Sequence, residues 1–167
     1  MAALTPGSKA PDFELPDHDG ASHSLSDALS KGPVLLTFFK ISCPTCQYGV
    51  PFISRLAPPL EGKPVTVWGI SQDSPEHTAG FNREFETGDL PDLFDSEEQD
   101  YAVSNAYGIT NVPTSFLIEQ DGTISVSSVG WDKKEVELVS KYLGEAASMP
   151  ELTPFNPGES VLDFRGG

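Results

Sequence analysis

The sequence predicts an α/β fold: a central mixed β-sheet flanked by helices, opened by an N-terminal hairpin. Three observations lead there. Two nearly continuous apolar runs, 33–39 and 65–70, have the composition of strands buried on both faces, and each is followed by a segment of helical period. Asp121-Gly122 between two strand-like runs marks a late hairpin. Between the first run and its helix stand the only two cysteines, Cys43 and Cys46, in C-x-x-C spacing.

Taken in order, 10–15 alternates apolar and polar before the turn cluster Asp17-His18-Asp19-Gly20, which gives the hairpin. Ser24 opens a short capped helix that Gly32-Pro33 breaks. After the strand at 33–39, a helix from Cys43 to about Leu60 is expected to kink at Pro51, which removes a helical hydrogen bond. The strand at 65–70 is followed by a helix from Ser74-Pro75 to about Phe85, with proline at its first position. The segment 90–94 is an extended candidate, and Ser96-Glu97-Glu98-Gln99 reads as a capping box opening a helix to about Tyr107, ended by Gly108. Strands on either side of Asp121-Gly122 follow. Asp132 caps a final helix with Val136, Leu138, Val139, Tyr142 and Leu143 as its inward stripe, ending near Gly144 or continuing to Ala147.

A chain of 167 residues is long enough for one domain with its own core, here expected over 1–147. Residues 148–167 change to proline, glycine and scattered apolar residues and read as a tail on the surface of that body. Ten basic against twenty-five acidic residues give a net charge of −15, which disfavours nucleic acid and anionic membranes as partners. No run approaches the roughly 20 apolar residues of a membrane span, and the first residues lack the basic and apolar regions of a signal peptide. The expectation is a soluble, cytoplasmic protein, or an exported one if a leader has been trimmed.

The two cysteines carry the chemistry. Pro44 suits the first position of a helix, so Cys43 falls at a helix N-terminus, where free N–H groups and the dipole favour a thiolate. Cys43 is therefore the candidate nucleophile, and Cys46, one turn further on the same face, the candidate resolving thiol. A structural zinc site wants four ligands, and His18, His23 and His77 supply no second pair at ligand spacing, so no metal or other cofactor is expected. A purely structural bridge closing so small a loop removes little chain entropy from the unfolded state. Redox use is the better reading.

The stretch 35–51, with Lys40-Ile41-Ser42-Cys43-Pro44-Thr45-Cys46-Gln47 at its centre, resembles the active-site strand and helix of the thioredoxin superfamily, in its TlpA/ResA-like and AhpC/TSA "redoxin" branch. The likeness runs from about Pro11 to Leu143. It includes an opening similar to "APDF-L-D-G", an insert at 89–107, and Tyr107-Gly108-Ile109-Thr110-Asn111-Val112-Pro113-Thr114, similar to "Y-G-I/V-x-x-V-P-T". The resemblance implies a thioredoxin-like fold, thiol-disulfide exchange, and a cis Pro113 packed against the dithiol. A cis X–Pro bond is accessible because proline lowers the trans preference to about 0.5–1 kcal/mol. Pro113 has no N–H to donate, while the Val112 backbone is placed to pair with an extended substrate as a strand edge does. Ser42, Pro44 and Thr45 complete the expected substrate surface.

Three departures alter the site. Thr37 stands where thioredoxin has a buried aspartate, Gly49 where ResA-like proteins have a glutamate, and Ser42 where the family usually has tryptophan. Lys40 is a candidate for tuning the Cys43 thiolate by its charge, or a solvated strand-end lysine. The expected partners are a disulfide- or dithiol-containing protein and an upstream redox partner, with oligomeric state left open. Two rivals stand beside this reading. One is a peroxiredoxin-like thiol peroxidase, although Leu36 and Lys40 fill the proline and hydroxyl positions of the motif P-x-x-x-T/S-x-x-C. The other is a non-catalytic sensor or binding module on the same scaffold.

Overall fold

The computed structural model describes residues 2–167. An N-terminal hairpin, β1 (Glu14–Pro16) and β2 (Ser22–Ser24), leads into α1 (Leu25–Leu29), whose Ser24 cap accepts from the Asp27 N–H. The body then alternates: β3 (Val34–Phe39), α2 (Pro44–Ser54), α3 (Ala57–Leu60), β4 (Thr66–Ser71), α4 (Pro75–Phe85) and β5 (Asp92–Phe94). After α5 (Ala102–Ala106) come β6 (Thr114–Ile118), β7 (Ile124–Val129), β8 (Trp131–Asp132), α6 (Lys133–Ala146) and β9 (Phe164–Arg165).

The central sheet has the order β5-β4-β3-β6-β7. β3, β4 and β5 run parallel to one another, β6 runs antiparallel to β3, and β7 antiparallel to β6, so the sheet is mixed as expected. β3 lies at its centre with all six residues buried. The period of two along it sorts the core. Leu35 and Phe39 join Val50, Ile53, Val139 and Leu143 of α2 and α6 on one face, while Val34, Leu36 and Phe38 join Trp68, Tyr107 and Phe116 on the other. Thr37 shares the face of Leu35 and Phe39, beneath α2.

Tyr107 is the largest fully buried side chain, and its hydroxyl donates to Pro11 O at 2.7 Å, tying the N-terminal segment to the body. Tyr107→Phe strands that carbonyl and is expected to lower stability by about 1–2 kcal/mol, read from a denaturant midpoint shift at unchanged m.

Three expectations need correction. The helix expected from Cys43 to about Leu60 contains Pro51 but stops at Ser54, with α3 as a separate turn after it. The break falls there because Pro58 and Pro59 remove two successive N–H donors that would have continued it. The expected helix over 96–107 is two pieces: a 3₁₀ turn, Glu97–Gln99, and α5, separated by Asp100 and Tyr101 at positive φ. The cause is Asp95, fully buried, whose carboxylate accepts from the N–H groups of Val103 and Ser104 at 3.3 and 2.6 Å and so starts a new helix. Leu138 and Tyr142 face outward, at 41% and 42% exposure. The buried stripe of α6 is Val136, Val139, Ser140, Leu143 and Gly144, small residues occupying the inner positions where Met149 and Leu152 pack close. Residues 149–167 lie across the face that carries the cysteines, with Met149, Leu152, Phe155 and Val161 packed against the core beneath.

Candidate active site

Cys43 is the N-cap of α2. Its sulfur accepts from the Cys46 N–H at 3.2 Å, and its thiol donates to Val112 O at 3.3 Å. The preceding loop is clamped at Ile41, whose N–H donates to the Asp73 carboxylate at 2.8 Å and whose carbonyl accepts from the Gln47 amide at 3.0 Å. Gln47 belongs to α2, and Asp73 lies in the loop two residues beyond the end of β4. The sequence showed neither clamp, since Ile41 is fixed through its backbone.

The two thiols are unlike. Both are free; Cys43 is half-buried, while Cys46 has no exposed surface. Burial, then the neighbouring Cys43 sulfur, pushes the Cys46 thiol well above the ordinary thiol range. The Val112–Pro113 bond is cis, and Pro113 is buried against the site.

Of the remaining expected site residues, Ser42, Pro44 and Lys40 are exposed around Cys43, and Lys40 engages it through its carbonyl, which accepts from the Cys43 N–H at 3.3 Å. Thr37 is buried in a hydroxyl pair with Ser115 at 2.9 Å and lines a small cavity with Gly49, Pro113, Trp131 and Glu135, one of whose carboxylate oxygens is buried without a hydrogen-bond partner. Thr45 is buried, its hydroxyl donating to Gly166 O at 2.7 Å. Trp131 lies against Gly49 so closely that a Cβ there would fall 2.9 Å from its ring. Tyr48, which the sequence offers either as a flank of the dithiol or as helix packing, packs against Trp131 with ring centroids 5.5 Å apart; Trp131 and the covering tail carry no signal of this role in the sequence.

A cis-proline loop facing a C-x-x-C at the start of a helix, on a five-stranded mixed sheet, defines a thioredoxin-like thiol protein. Residues 6–127 match the AhpC/TSA family. The chain is 33% identical over 134 residues, 80% of its length and 74% of the relative's, to the thiol-disulfide oxidoreductase ResA of Geobacillus thermodenitrificans. It therefore belongs to the AhpC/TSA family, on the ResA-like side of thiol-disulfide oxidoreductases. Among solved structures it resembles a thiol:disulfide interchange protein from Bacteroides sp., with TM-score 0.70 and 25% identity over 86% of this chain and 93% of that one. The thioredoxin domain of a thiol-disulfide oxidoreductase from Bacteroides vulgatus shares the fold, with TM-score 0.72 and 23% identity over 84% of this chain and 99% of that one.

Proposed function

We propose that this protein exchanges disulfides with a protein substrate through the Cys43–Cys46 dithiol and is reset by an upstream redox partner. The observation that carries the reading is the asymmetry of the two thiols: one half-exposed at a helix N-terminus, the other enclosed behind it. The Cys43 thiolate attacks a substrate disulfide, forming a mixed disulfide and expelling the other substrate sulfur as a thiolate. Cys46 then loses its proton and attacks the Cys43 sulfur; the mixed disulfide breaks, and the second substrate sulfur leaves. Two electrons pass to the substrate and a Cys43–Cys46 bridge remains. The reverse steps oxidise a substrate dithiol.

The surrounding residues suit these steps. Val112 offers its backbone beside the reacting sulfur, Pro113 contributes no competing N–H, and exposed Ser42 and Pro44 form the rim against which a substrate rests. The static-module alternative has less support because Cys43 keeps access to solvent. The peroxidase alternative has less support because Leu36 is fully buried in β3 and Lys40 offers no hydroxyl to a peroxide.

Equilibration of the reduced chain against glutathione or dithiothreitol buffers tests the proposal. A reversible two-electron couple is expected within the roughly −270 to −120 mV spanned by such dithiols, and its value separates a reductant from an oxidant. A pair that never equilibrates with either buffer overturns the exchange reading.

A further inference from the structure

Residues 149–159 are anchored to the body by several kinds of contact. Phe155 packs on Phe52 and Trp131 with ring centroids 5.4 and 6.2 Å apart, and Pro154 is buried. Arg55 holds the Glu159 carboxylate through both oxygens at 2.8 and 3.0 Å and also donates to Pro154 O. That guanidinium keeps the Glu159 carboxyl below the ordinary carboxylate range.

Beyond Glu159 the attachment changes. The Leu162 N–H donates to the Tyr48 hydroxyl at 2.9 Å, the Trp131 indole donates to Leu162 O at 2.7 Å, and Lys133 N–H donates to Asp163 O at 2.9 Å. β9 pairs antiparallel with β8, Trp131 opposite Arg165 and Asp132 opposite Phe164. The chain then runs over Thr45, whose hydroxyl holds Gly166 O, to Gly167, where a Cβ would overlap Val112 O. That same Val112 carbonyl accepts from the Cys43 thiol.

Leu162 and Phe164 meanwhile point outward, at 47% and 63% exposure. Apart from Val161, which is partly buried against the core, residues 160–167 are thus held through their backbone with little apolar burial. Such bonds net little after exchange with water, and ordering the segment opposes them. The segment is seated by the contacts an extended peptide makes on a strand edge, and by few of the contacts that would make it permanent.

We propose that residues 160–167 are a strap lying in the groove that a protein disulfide must enter, so that large substrates compete with the chain's own tail for Cys43 while small disulfides reach it past the strap. This rests on the disulfide-exchange reading above. The groove takes an extended segment with no side chain where it passes Val112, because a Cβ on Gly167 would meet the Val112 backbone, whereas one on Gly166 would meet open space. Release of the strap frees the Tyr48 hydroxyl, the Trp131 indole N–H and the Thr45 hydroxyl for the incoming backbone.

The test compares second-order rate constants for oxidation of the reduced 167-residue chain by insulin, a protein disulfide, and by hydroxyethyl disulfide, a small one. Leu162→Pro removes the N–H held by Tyr48, and Gly167→Val drives the strap off Val112; both positions are exposed and outside the core. Each variant is expected to raise the insulin rate about tenfold, as for a groove open about a tenth of the time, with the hydroxyethyl disulfide rate changed less than about twofold. A peptide of sequence 160–167, at about the millimolar concentration a short tether supplies, slows insulin oxidation of the Leu162→Pro chain and leaves hydroxyethyl disulfide unaffected. An unchanged insulin rate in both variants, equal acceleration of both disulfides, or a peptide without effect overturns the strap. An unaltered chain that reacts with neither disulfide fails earlier and removes the exchange reading itself.

Discussion

Cys43→Ser abolishes disulfide exchange, whereas Cys46→Ser stops it halfway with the substrate attached. The first loss is expected on the order of 10³-fold or more, because no second sulfur is available to take over the attack. Cys46 has no exposed surface, and burial keeps its proton in place, so a substrate disulfide meets Cys43 alone. In Cys46→Ser that attack still occurs, but nothing cleaves the mixed disulfide, and a one-to-one adduct accumulates, visible by mass under non-reducing conditions. The raised Cys46 thiol adds a pH signature to the unaltered chain. Its thiolate is scarce at neutral pH and, as long as the pH stays well below its raised pKa, grows about tenfold per pH unit, so decay of the mixed disulfide accelerates with pH by about that factor. An adduct formed equally well by Cys43→Ser would reverse the assignment of roles.

What could be read beforehand divides along physical lines. The strands β3 and β4 were legible because a strand buried on both faces needs a continuous apolar run, and the N-cap at Cys43 because Pro44 suits a first helical turn. Val112-Pro113 was legible by resemblance rather than composition. The break at Asp100 and Tyr101 was not, since it depends on a buried carboxylate eight or nine residues away from the amides that it caps in sequence. The phase of α6 was misjudged at Leu138 and Tyr142 because apolar residues alone decided the stripe, while Ser140 and Gly144 hold inner positions by being small. The tail was hardest. Thr45 and Gly166 are 121 positions apart, and the tail offers a carbonyl there, which any residue has. Contacts made through main chain leave no mark on side-chain identity, which is why the dithiol was visible in the sequence and its cover was not.

The stability of this fold is expected to fall between about pH 4 and 7 for a reason confined to one side chain, Asp92. It begins β5, opposite Gly69 in the register, with one carboxylate oxygen accepting from the Asn82 amide at 2.9 Å. The other oxygen is buried without a partner; it leans over Gly69, where any Cβ would collide with it. Desolvation therefore raises the carboxyl to about 7, against the smaller opposing effect of Asn82. Below about pH 4 the group is protonated in both folded and unfolded chains, and its full contribution is present. Between that point and 7 the unfolded chain releases the proton while the folded chain retains it, so stability is lost as pH rises. A tenfold difference in proton affinity between the two states is worth about 1.4 kcal/mol, so a loss of about 2–4 kcal/mol is expected across the interval. Asp17, Asp121 and Glu159, all held below the carboxylate range by hydrogen-bonding partners, act oppositely and at lower pH: their stabilisation is present above about pH 4 and lost beneath it. Asp92→Asn separates the two. Its amide retains the Asn82 contact and carries no charge at any pH, so the variant is more stable than the parent at pH 8 by most of that interval and converges on it near pH 4. Denaturant midpoints at unit steps of pH measure the difference, and parallel curves from pH 4 to 8 would place the missing proton elsewhere.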